Sequence, residues 1–143
     1  MSMKVLVPYD GSEYSKDALQ HAVDTYTDAE VHVLHVIDPV GRGGRKQPKA
    51  AWWNMWYEDR EKHAESLLEE ARETVEGHEA VTTEYRTGKP SEEILDLVQN
   101  GDVDVIVMGR QGETGLSRVL LGSAAEKVAR HADIPVTLVG ETS

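Results

Sequence analysis

The chain has 143 residues, 26 acidic against 15 basic side chains for a formal net charge of −11, and no cysteine. That length suits one domain whose core needs no covalent staple, and the missing thiols exclude disulfides, thiolate metal sites and cysteine nucleophiles. So negative a surface repels phosphate backbones, and no basic stripe interleaved with aromatics offsets it, so nucleic acid is not an expected partner. Met1–Lys4 leads straight into Val5–Tyr9, an apolar run too short for a signal peptide or a membrane span. The expectation is a cytoplasmic protein with no membrane partner.

Met3–Tyr9 is a valine-rich run ending at Asp10-Gly11-Ser12, and a run apolar on both faces suits a parallel strand covered by helices. Ser12 predicts the N-cap of a helix over Glu13–Thr27, with Ser15, Ala18, Leu19, Ala22 and Tyr26 on one face. A second strand is predicted at Glu30–Ile37. The segment Asp38–Ala51, with glycine, proline and the basic Arg42, Arg45, Lys46 and Lys49, reads as a solvated mobile loop. The longest predicted helix runs from about Trp53 to Glu76, carrying Tyr57, Ala64, Leu68, Ala71 and Val75 at helical spacing and ending at Gly77. The aromatics Trp52, Trp53, Trp56 and Tyr57 at its start read as a hydrophobic clamp for the helix entrance; a lid or a partner surface is the alternative.

Ala80–Arg86 is a polar strand suited to a sheet edge, and Pro90-Ser91 opens a short helix with Glu92 and Glu93 in its first turn, closed by Gly101. Val103–Met108 is the most apolar strand, Gly122–Ala132 a helix, and Pro135–Val139 a last strand. Strict alternation of strand and helix with right-handed crossovers gives an α/β fold, a single doubly wound domain with a parallel sheet covered on both faces.

In open sheets of this kind a ligand binds beyond the carboxyl ends of the strands, where the winding reverses. Three loops fall there: Asp10-Gly11-Ser12, His35-Val36-Ile37-Asp38, and Met108 to Ser123. In the third, Gly109 and Gly112 would let backbone N–H groups approach a bulky anion. Gly122-Ser123 opens a helix whose N-terminus offers free donors and a positive dipole end. Ser123 adds a hydroxyl and Arg118 a charge that could fork onto phosphate oxygens. Ser123-Ala124-Ala125-Glu126 also fits a capping box, and glycines after a strand are common turn punctuation. Neither G-x-x-x-x-G-K-[ST] nor G-x-G-x-x-G after a strand is present.

The pattern Gly109-x2-Gly112-x9-Gly122-Ser123 resembles the ATP-binding signature of the universal stress protein family. So do Val5–Ser12, His35–Asp38, Val105–Gly109 and Leu120–Val128, in order along nearly the whole chain. The resemblance implies a five-stranded sheet in the order 3-2-1-4-5. It implies Asp10 near the ribose and adenine, Val36 meeting the adenine edge through its backbone, and Pro8 and Met108 flanking that pocket. Gly109, Gly112, Gly122, Ser123 and Ala124 would hold the phosphates. It further implies a homodimer formed through Pro135–Val139. An uncovered strand edge is suited to such pairing.

Asp10 on its own reads equally as a turn residue bonding local N–H groups. Clustered phosphate oxygens suit Mg²⁺, held mainly by the nucleotide, since the chain has no dedicated metal cage; His32 and His35 fall on opposite faces of a strand. The expected function is a nucleotide-dependent regulatory module of the stress response. A weak ATPase or self-phosphorylating enzyme is one alternative, with Asp10 or Glu113 near the phosphates and Ser117 or Ser123 as acceptors; a dimerising scaffold with no obligatory nucleotide is the other.

Overall fold

A computed structural model describes residues 3–39, 50–78, 80–111 and 121–140, the side chains of 50–53 excepted. Its elements follow one another as β1 (Lys4–Pro8), α1 (Glu13–Thr25), β2 (Glu30–Ile37), α2 (Ala50–Thr74), β3 (Val81–Thr87), α3 (Pro90–Asn100), β4 (Val105–Gly109), α4 (Ser123–His131) and β5 (Val136–Val139). The strands form one sheet in the order β3-β2-β1-β4-β5, every neighbouring pair parallel. This is the doubly wound α/β fold and strand order expected.

Period-two alternation sorts the strands onto two cores. Val5, Val7, Val31, Val33, Val105 and Val107 pack under α1 and α2 with Ala18, Leu19, Leu68 and Ala71. Leu6, Leu34, Ile106 and Met108 pack under α3 and α4 with Ile94, Leu97, Ala125 and Val128. The central strands β1 and β4 are therefore apolar on both sides, which is why they read as unbroken hydrophobic runs.

Element ends shift where caps decide them. Ser12 caps α1 as expected, its Oγ accepting the Ser15 N–H at 3.2 Å. The helix stops at Thr25, short of Thr27, because Tyr26 leaves helical geometry at φ −110°, ψ 67°. Ala50 and Ala51 belong to α2 and not to the preceding loop, as alanine favours helix. At its far end α2 tightens, with the Glu76 N–H bonding the Glu73 carbonyl at 3.4 Å. The apolar run at Val103 starts before the strand, since Asp102 takes φ 57° and β4 begins at Val105.

Two features bear on stability apart from the core. On edge strand β3, Glu84 joins an ionic ladder: His32 Nε2 donates to its Oε1 at 2.6 Å, Arg86 Nε to its Oε2 at 3.2 Å, and Arg86 reaches Asp96 at 2.9 Å. Burial pushes the Glu84 carboxyl up, but the bonds from His32 and Arg86 outweigh it and hold it below its ordinary 4.5. The second feature is Gly109, where a Cβ would lie 2.6 Å from Tyr14 Cβ and 2.9 Å from the Tyr14 carbonyl carbon. The bare backbone lets α1 sit against β4, so packing already requires glycine here.

A carboxyl held down in the fold stabilises it above the unfolded pKa, and that contribution is lost as pH falls through the lowered folded value. Glu84→Gln is expected to lower the urea midpoint at pH 7, with the gap to the parent closing as pH drops below 4.5; an undiminished gap at about pH 3 would mean that packing, not charge, is responsible. Gly109→Ala is expected to cost about 1–3 kcal/mol in the ligand-free protein, read by urea unfolding. An unchanged midpoint would refute the packing role.

Candidate functional site

The chain winds from β1 outward to β3, then returns to place β4 and β5 on the other side of β1. The carboxyl ends of β1 and β4 lie side by side at that reversal, and a cleft of about 200 Å³ sits at that end of the sheet. Pro8, Asp10, Val36, Met108, Gly109, Gly122, Ser123 and Ala124 all line it. Sequence reasoning therefore finds residues that the fold gathers from four elements. Gly112 and Arg118 lie outside the described residues, as do Glu113 and Ser117.

The cleft's distinctive wall is the start of α4. Gly122 is the N-cap, extended at φ −65°, ψ 156°, and no side chain caps the helix. Its N–H is bonded to the Arg110 carbonyl at 2.8 Å, and the first helical bond runs from the Glu126 N–H to the Gly122 carbonyl at 2.9 Å. The N–H groups of Ser123, Ala124 and Ala125 precede that bond and have no helical partner. The capping box is not formed, because Gly122 rather than Ser123 occupies the cap; Glu126 instead pairs with Arg130 at 2.9 Å. Among the described lining residues there is no lysine or arginine, so anion attraction on this wall comes from backbone donors and the helix dipole.

The opposite wall is the end of β1. Asp10 Oδ1 accepts the Ser12 N–H at 2.9 Å, so the local turn role exists and holds the carboxylate at the cleft wall. Gly11 makes the turn at φ +86°. Tyr9, 2% exposed, sends its ring into the core under α2. Its hydroxyl has no hydrogen-bond partner among the described residues, and burial, with Glu70, Asp10 and Glu13 nearby, pushes its pKa up to about 12.

His35 and Gln111 line the cleft although the sequence reading does not single them out. Gln111 is 5% exposed, a buried amide just past β4. His35 Nδ1 donates to the Tyr9 carbonyl at 2.8 Å, and its ring meets the His63 ring edge-on at 6.3 Å. Burial, aided by His63 and Arg60, holds the imidazole below its ordinary 6.5 against the opposing pull of the Tyr9 bond and Asp10. The available signal was a histidine between Leu34 and Val36 in the largely apolar end of β2.

At the entrance of α2, Arg60 stacks on Trp56 at 5.5 Å and the Tyr57 hydroxyl bonds Thr87 Oγ1 at 2.8 Å. The first contact lies within the helix and the second, a polar bond, ties α2 to the end of β3; the side chains of Trp52 and Trp53, half of the expected hydrophobic clamp, lie outside the described residues. Among the described residues no helix is long and apolar enough to cross a membrane, and no three histidine, aspartate or glutamate side chains gather to hold a metal ion.

The model of the universal stress protein family matches residues 1–140. Universal stress protein MJ0531 of Methanocaldococcus jannaschii is 34% identical, over 95% of this chain and 81% of that protein. Universal stress protein MJ0577 of the same organism is also 34% identical, over 97% and 95%. The solved structure of MJ0577 superposes with a TM-score of 0.87 at 31% identity, covering 100% of this chain and 99% of that one. More distant structures share the fold: a universal stress protein in complex with cAMP (TM-score 0.68, 21% identity, 98% of each chain) and one from Arabidopsis thaliana with AMP bound (0.69, 18%, 99% and 93%). By sequence along its length and by the order of its strands, the chain belongs to the universal stress protein family.

Proposed function

We propose that the chain is an ATP-binding universal stress protein, a nucleotide-dependent regulatory module of the stress response. The observation that carries this reading is the uncapped start of α4, whose Ser123, Ala124 and Ala125 donors open on a cleft whose other wall carries Asp10 and Val36. A helix N-terminus suits phosphate oxygens. The half-buried Val36 and the apolar Pro8, Met108 and Ile94 suit a purine, and Asp10 suits ribose hydroxyls. Gly112 and Arg118 complete the phosphate side in this assignment, and Mg²⁺ enters with the nucleotide, held mainly by its phosphates. The AMP and cAMP complexes of distant proteins indicate that the fold has room for an adenine nucleotide.

The reading extends to a homodimer paired through β5. That strand sits at the sheet edge with half-buried side chains, and an open edge is a template for another strand. Light scattering at micromolar concentration is expected to give about twice the 15.9 kDa chain mass; a monomer would remove this part of the proposal.

ATP titrated into the purified protein in a calorimeter is expected to saturate one site per chain. Gly122→Val should weaken that binding at least about tenfold while leaving the circular dichroism spectrum unchanged, because valine accepts the extended backbone at this position but places its branched side chain beside the phosphate donors. Unchanged affinity in the variant would move the phosphates elsewhere.

A further inference from the structure

The β1–β2 ladder ends in an unusual way. The two strands run in parallel register as far as Pro8 opposite Leu34, and the Tyr9 N–H still bonds the Leu34 carbonyl at 2.8 Å. In a parallel ladder the next rung would run from the Val36 N–H to the Tyr9 carbonyl. The pairing stops short of that rung, and no such bond is formed. The Tyr9 carbonyl accepts the His35 Nδ1–H at 2.8 Å instead. Nor does β3 take up Val36: on that side the bonds belong to the odd residues, Val31 N–H to the Ala80 carbonyl and the Ile37 carbonyl from Gly88 N–H. The N–H and C=O of Val36 thus face the β1 side, past the point where β1 has ended, on a residue that lines the cleft.

We infer that His35 is a positioning residue for nucleotide recognition: its imidazole occupies the Tyr9 carbonyl, closes the β1–β2 ladder one rung early, and leaves the N–H and C=O of Val36 as an open rung for the base. The inference rests on the nucleotide reading given above and deepens it. One donor and one acceptor, adjacent on a single residue, complement a ring nitrogen acceptor beside an exocyclic amino donor, which is the pattern on the Watson–Crick edge of adenine. A carbonyl only accepts, so Nδ1 carries its proton in either charge state of the ring and the contact survives changes of pH. Burial keeps the imidazole uncharged near neutrality, so the rung is offered without a cation beside it. His63 lies edge-on to the ring.

The test uses the whole chain with two substitutions, His35→Leu, which removes the donor, and His35→Asn, whose amide nitrogen stands where Nδ1 stood. In the ligand-free parent the Val36 amide is expected to exchange its hydrogen at least about tenfold faster than that of Leu34. In His35→Leu it should slow as Val36 bonds the released Tyr9 carbonyl. ATP affinity should fall about three- to tenfold in His35→Leu and recover in His35→Asn, while affinity for inorganic tripolyphosphate, which has no base, stays constant in all three proteins. A Val36 amide as protected as Leu34 in the parent overturns the open rung. ATP binding with an unchanged ratio of ATP to tripolyphosphate affinity in His35→Leu overturns the role of His35 alone. Failure of the parent to bind ATP overturns the nucleotide reading itself, and with it the use assigned to the rung.

Discussion

Everything at the cleft depends on β1 and β4 being buried on both faces. Val5, Leu6 and Val7 are wholly inaccessible to solvent, as are Ile106 and Val107. Such strands can expose polar backbone only where they end. The change of winding direction falls between them and holds their carboxyl ends side by side. The same apolar pressure that forms the sheet therefore creates a polar gap at a fixed place, edged by the turn at Asp10 and the start of α4.

What lines that gap offers a ligand chiefly backbone groups. The chain carries a net charge of −11, and among the described residues of the cleft there is no cationic side chain. Oriented N–H groups at a helix start suit such a protein, because they attract phosphate without a side chain that neighbouring carboxylates could engage. The base-binding role proposed for Val36 would extend the same economy of side chains.

Much of this was legible in the sequence because the signals were local. Both-face apolar runs located the strands, Ser12 located a cap, and the spacing of Gly109, Gly122 and Ser123 pointed to one wall of a cleft, with Asp10 and Val36 set beside it. The parts that were not legible depend on contacts between distant segments. A capping box at Ser123 and a glycine cap at Gly122 are equally good local readings; the bond from Gly122 to Arg110 decides between them. His35 looked like one of two histidines in a mostly apolar strand, since its partner, the Tyr9 carbonyl, lies just past the end of another strand and has no side-chain signal at all. Asp10 shows that two readings need not compete, for one carboxylate oxygen serves the turn while the residue stands at the cleft.

The contact between Gly109 and Tyr14 has a consequence for how such chains change over time. A lineage that abandoned the ligand would still be obliged to keep Gly109, because α1 would otherwise be pushed off the central strand. Gly122, extended at φ −65° and ψ 156°, takes a backbone conformation open to any residue. Gly109 would thus persist as a relic of architecture, whatever became of the cleft beside it.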